Sequence, residues 1–147
     1  MNDGIKLSGH ISIKHIRDGK VIDTREVKNL IVDGGKALIA TGLSANTDIH
    51  FTHIGIGTGT TAAVTGEDKL VDEVLTRGTV TATPTLNVVS FVSTAIVNSV
   101  SIKSITEAGL FNKSSGRTMF SRQVFDPIVL QFSPADSLVI TWTITVN

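Results

Sequence analysis

Between Asp136 and Asn147 apolar and polar positions alternate with a period of two. Leu138, Ile140, Trp142, Ile144 and Val146 fall on one face, and Val139, Thr141, Thr143 and Thr145 on the other. Such a run predicts a strand with one face in a core. The outer face is β-branched and uncharged, so it suits another sheet, another subunit or a covering loop as well as it suits water. The same period marks residues 9–17, with Ile11, Ile13 and His15 on one face and Ile16 out of phase, as at a bulge. Asp18-Gly19 then predicts a tight hairpin, since both types accept positive φ. Residues 20–28 form its return strand. High charge density makes this N-terminal hairpin, residues 1–28, a peripheral element.

Gly34-Gly35 leads into residues 36–42, a short helix stopped by Gly42 and the chain's main helix. Residues 51–57 predict a strand and 57–66 a loop of small residues. Residues 67–75 fit either a helical turn, with Leu70, Val71 and Val74 on one side, or an extended segment. Thr79, Thr81, Thr83 and Thr85 alternate with Val80 and Ala82, predicting one exposed strand over 76–85, broken by Pro84. Residues 86–97 are apolar on both faces, as in a central strand. Asn98-Ser99 predicts a turn into a strand over 100–107. The chain continues through 108–112 to a turn at 113–116 and a strand over 118–125. Pro127 and Pro134 reduce residues 128–132 to an edge or connector. Eight or nine short strands with one helix predict an all-β fold, a jelly-roll-like antiparallel β-sandwich making a single domain over 1–147.

Composition agrees with one domain. A chain of 147 residues buries roughly two-thirds of its unfolded surface on folding, enough for a real core. There is no cysteine, so neither disulfides nor thiolate metal sites contribute. Thirteen basic and thirteen acidic residues cancel, which removes the electrostatic case for nucleic acid or an anionic membrane as partner. Beyond Arg122 there is no Lys or Arg, and Asp126 and Asp136 are the only acids. That segment is as poor in charge as a central strand or a subunit interface. No run reaches the roughly 18 apolar residues of a membrane-spanning helix. The first residues lack the apolar core of a secretory signal, so a cytoplasmic site of synthesis and assembly is expected.

Candidate chemistry is thin. Gly55-Ile-Gly57-Thr-Gly59 has no Gly-Lys-Ser/Thr ending and no long helix after it, so it fits neither phosphate loop nor dinucleotide fingerprint. It reads as a turn whose glycines supply positive φ. His10, His15, His50 and His53 are the only metal-like set. Spaced by three on a strand, His50 and His53 diverge, which leaves bland roles at the surface or core margin. Glu107, one of four glutamates, stands in the apolar run Ile105-Thr-Glu-Ala-Gly-Leu-Phe111. It is expected to accept backbone amides or pair with Arg77 or Arg122 rather than to act as a general acid. No carboxylate pair suggests glycoside hydrolysis, and no nucleophile elbow is present. No catalytic, cofactor-binding or metal-binding residues are assigned, and no cofactor or enzymatic activity is expected.

The order of motifs carries more than any one of them. Asn29-Leu-Ile-Val-Asp-Gly-Gly-Lys-Ala-Leu-Ile-Ala40 is followed by Phe51-Thr-His-Ile-Gly-Ile-Gly-Thr-Gly-Thr-Thr61. Next come Leu70-Val-Asp-Glu-Val74 with Arg77, then Ile105-Thr-Glu-Ala-Gly-Leu-Phe-Asn112 and the closing Asp136-Ser-Leu-Val-Ile-Thr-Trp142. From about Lys28 onward this succession resembles small virion structural proteins of tailed bacteriophages, with Glu-Ala-Gly-Leu-Phe the most recognisable piece. The resemblance implies a virion location and a mechanical role. One form is a capsid decoration, or cement, protein: a homotrimer bridging major capsid subunits of the expanded head. The other is a tail-fibre or baseplate adaptor joining the tail to receptor-binding proteins, since similar modules occur there.

Overall fold

The computed structural model describes residues 4–45, 49–96, 102, 104–116, 119–132 and 134–147. Two five-stranded antiparallel sheets face each other across one core. The first contains β1 (Leu7–Arg17), β2 (Lys20–Lys28), β6 (Thr81–Thr85), β7 (Val88–Ile96) and β10 (Ser137–Val146), in the order β2-β1-β10-β7-β6. The second contains β3 (Leu30–Ile31), β4 (His53–Gly57), β5 (Glu73–Thr79), β8 (Ser104–Phe111) and β9 (Met119–Val129), in the order β3-β9-β8-β4-β5. Pairings between strands remote in sequence, β1 with β10 and β3 with β9, tie distant parts of the chain into an all-β antiparallel sandwich. Two further long-range pairs, β7–β10 and β4–β8, and the local antiparallel pairs β1–β2, β4–β5, β6–β7 and β8–β9 complete the two sheets.

The closing alternation behaves as its pattern requires. Leu138, Ile140, Trp142 and Ile144 are buried, and Trp142 pairs with Ile11 on one side and Phe91 on the other. Val146, at the strand's end, stays exposed. In β1, Ile11, Ile13 and His15 face inward, and the register with β2 slips between His15 and Ile16, the expected bulge. Asp18 and Gly19 turn the hairpin with φ of 50° and 73°. Only its second strand is peripheral: β2 is a sheet edge, whereas β1 lies between β2 and β10. Phe51 bridges the sheets, 6.0 Å from the Phe91 ring edge-on and 4.2 Å from the Phe120 ring.

Three local expectations change, and one left open is decided. The helix α1 (Asp33–Ser44) is longer than residues 36–42, taking in the glycine pair and passing through Gly42. Gly35 is buried with the carbonyl of Phe120 where a Cβ would stand, so glycine lets α1 lie directly on β9. Gly42 similarly admits the Ile49 side chain instead of ending the helix. The threonine-rich stretch 76–85 is two strands in different sheets, divided at Val80, whose N–H bonds the carbonyl of Thr52. Of the two alternatives for residues 67–75 the helical turn falls away: the segment is not helical, Leu70 is buried and β5 starts at Glu73. Finally, β9 runs through Pro127 to Val129. The proline sits where the β8 register slips between Ile105 and Glu107, and β3 reaches only Ser121 and Arg122 of β9, so no ladder bond is lost on that side. The turn expected at Asn98-Ser99 lies outside the described residues.

Candidate functional site

Strand β8 carries two different faces in five residues. Ala108 and Leu110 enter the core, while Glu107, Gly109 and Phe111 point to the outer side of the second sheet. That side is roofed by the chain between β4 and β5, and Glu107 holds the roof down. Its carboxylate accepts the N–H groups of Gly59 at 3.1 Å, Val71 at 3.1 Å and Asp72 at 2.8 Å. It also accepts Arg122 Nε at 2.8 Å, and both side chains are wholly buried. Arg122 in turn reaches Glu67 at 2.8 Å and donates to the carbonyl of Thr61 at 2.9 Å. The Thr106 hydroxyl donates to the Gly59 carbonyl. A carboxylate offers about four lone-pair sites, and here each is used. Glu107 is a structural anchor, with both expected kinds of partner at once.

Glycines make this approach possible. A Cβ on Gly57 or Gly59 would collide with Glu107 Oε1, and one on Gly109 would come within 3.0 Å of Leu70. None of the glycines at 55, 57 and 59 has positive φ, since Gly19 and Gly116 alone adopt it among described glycines. The motif therefore serves close contact, not turn conformation. Phe111 supports a second ionic group. The Arg77 guanidinium stacks 3.4 Å above its ring, is held by Glu73 at 2.6 Å and 3.0 Å, and donates to the carbonyls of Lys113 and Gly116.

A third knot joins the ends of β1 and β10. The buried Asp136 carboxylate accepts His15 Nε2 at 2.7 Å, Arg17 at 3.0 Å and 2.8 Å, and the Gln131 N–H at 2.9 Å. The Arg17 hydrogen bonds, aided by His15, hold this carboxyl well below the usual range, although burial alone would raise it. The four histidines are dispersed: His15 in this knot, His10 on Glu26 at 2.7 Å, His53 beside Thr52, and His50 exposed on the segment leading into β4. Among described residues no three potential ligands converge on a metal position. No described helix is long and apolar enough to cross a membrane.

Comparison with protein-family models, curated proteins and solved structures found no match.

What remains open to neighbours is the first sheet. Its outer face is ordered in ranks across four strands: Ser8, Thr145, Val88 and Thr85; His10, Thr143, Ser90 and Thr83; Ser12, Thr141, Val92 and Thr81. Neighbouring strands stand about 4.8 Å apart, so hydroxyls and methyls recur on a nearly regular grid. From β10 to β6 this grid holds no charge. Such a face offers many weak donors, acceptors and apolar contacts at fixed spacing. The alternation of β10 foretold its uncharged character; its width could not be foreseen without the pairing of β6, β7 and β10.

Proposed function

We propose that this chain is a structural component of a tailed-bacteriophage virion, a capsid decoration protein that grips neighbouring major capsid subunits. The observation carrying this reading is the uncharged Ser/Thr/Val face of the first sheet, backed by a sandwich whose other face is sealed by buried ion pairs. The motif succession from Asn29 to Trp142, with Glu107-Ala-Gly-Leu-Phe111 its most recognisable piece, supports it independently. Binding that occurs only on the expanded shell stabilises that shell by linkage, with no chemical step. Clustering of copies, a homotrimer in the expected form, multiplies weak contacts into a firm grip.

The test is to locate and count the protein. Hundreds of copies per particle, with purified protein binding expanded but not unexpanded heads, are the expected result. A handful of copies at the tail would replace this reading with the fibre or baseplate adaptor. Turnover of a cell-wall polymer by the purified chain would overturn both.

A further inference from the structure

One end of the sandwich gathers the most exposed of the large apolar side chains. Leu86, Leu43 and Ile5 are the three most exposed large hydrophobic residues among those described, at 100%, 78% and 71%. All three lie at this end. Leu86 tips the β6–β7 hairpin, and its neighbour Asn87 exchanges hydrogen bonds with Val146, the last residue of β10. Leu7 pairs with the same Val146. Beside the tip, Ile5, Leu7, Ile39, Leu43 and Val146 line a groove of about 510 Å3 between α1 and the sheet. Its one charged lining residue, Lys36, is already paired with Asp33 at 3.3 Å.

Leu86 is misplaced by local rules as well as by exposure. A two-residue hairpin turn favours Asn, Asp or Gly where φ is positive, yet Leu86 holds φ 56° with its side chain wholly in solvent. A residue that is both strained and unburied points to a use outside the monomer.

We propose that this end is where copies of the chain meet, the Leu86 tip of one entering the groove between α1 and β10 of a neighbour. The occupant follows from shape: knob and groove are of the same apolar chemistry and lie at the same end, the knob fully exposed. Because they share one end, a symmetry axis beside it repeats the same contact for every copy and closes the set. The exposed apolar surface of Ile5, Leu43, Leu86 and Val146 is on the order of 400 Å2, in the range of the largest patch on a monomer, which is often functional. That suffices for the apolar centre of a standard interface of about 800 Å2 per partner, with polar surroundings as rim. The assignment rests on this geometry and not on the virion reading, so either can fail alone.

Sedimentation of the purified chain tests it. The wild type is expected to be oligomeric. Leu86→Asp and Leu43→Asp should each weaken association at least about tenfold, while Val21→Asp, on the hairpin at the opposite end, leaves it unchanged. Because both leucines are exposed, circular dichroism should show each variant folded. The chain has no cysteine, so Leu86→Cys mixed with Leu43→Cys should form a disulfide-linked pair on oxidation. A monomeric wild type at high concentration, or an oligomer that both aspartate variants leave intact, would overturn the proposal.

Discussion

Replacing Glu107 with glutamine keeps the side chain's shape and removes its charge, which isolates what the buried knot contributes. In the wild type one oxygen accepts Gly59 and Asp72, and the other accepts Val71 and Arg122. A glutamine amide must direct its NH2 toward one of these sets, so donor meets donor whichever way it turns. Arg122 stays wholly buried with Glu67, itself 16% exposed, as its remaining carboxylate. Breaking a buried pair in this way costs about 3–5 kcal/mol, a large part of the roughly 5–15 kcal/mol that holds a domain folded. At about 2–4 °C per kcal/mol for a chain of this size, melting should fall by about 6–20 °C. Urea titration followed by circular dichroism measures the loss. Hydrogen exchange should show the Gly59, Val71 and Asp72 amides losing protection first. Arg122→Met should cost less, because Glu107 would retain its three backbone donors. If Glu107→Gln costs under about 1 kcal/mol, or Arg122→Met costs more, the anchor account is wrong.

Three further outcomes follow from single contacts. Gly59→Ala brings a methyl to 2.5 Å from Glu107 Oε1 and 2.7 Å from Val71 Cβ; it should destabilise by about 1–3 kcal/mol in the same titration. Asp136 has a folded carboxyl held below the ordinary value of 3.8, chiefly by Arg17. Its contribution is therefore complete above that value and drains away as acid is added below it, so the wild type should lose more stability between about pH 4 and pH 2 than Asp136→Asn does. Equal acid sensitivity of the two proteins would count against the knot. Leu86→Asn relieves positive φ at an exposed tip and should stabilise the monomer by about 1 kcal/mol, read as a rise in melting temperature measured at low concentration.

What the sequence made legible was local. The alternation from Leu138 to Ile144, the bulge at Ile16 and the Asp18-Gly19 turn each depend on neighbours within a few residues, and all three stand in the structure. What escaped depends on partners far along the chain. Nothing within residues 76–85 marks Val80 as the crossing between sheets, because threonine alternation is the same on both sides of it. Gly35 and Gly42 look like helix breakers until Phe120 and Ile49 are seen filling the space a Cβ would need. Glu107 announced a buried anchor, yet its amide partners lie 35 to 48 residues away. Their identity had no signal short of the fold, and the glycines at 57 and 59, read as turn residues with positive φ, serve close approach instead.

The two sheets are finished in opposite ways, and this asymmetry links fold to proposed work. On the second sheet, glycines at 55, 57 and 109 leave a shallow bed, and residues 58–72 with Arg77 fill it, fixed by Glu107, Arg122 and Phe111. Charge is spent inward there, on holding the protein's own loop. The first sheet shows the reverse. Its ionic groups lie toward β1 and β2, with His10 on Glu26 and the Asp136 knot at the far end, and the ranks from β10 to β6 stay neutral. A neutral hydroxyl-bearing face needs little desolvation of charge when it meets a neighbour. A sealed opposite face keeps the sheet from bending away under load, since closely packed layers deform little. Stiffness on one side and low desolvation cost on the other are the two properties that gripping requires, and neither calls for a reactive group.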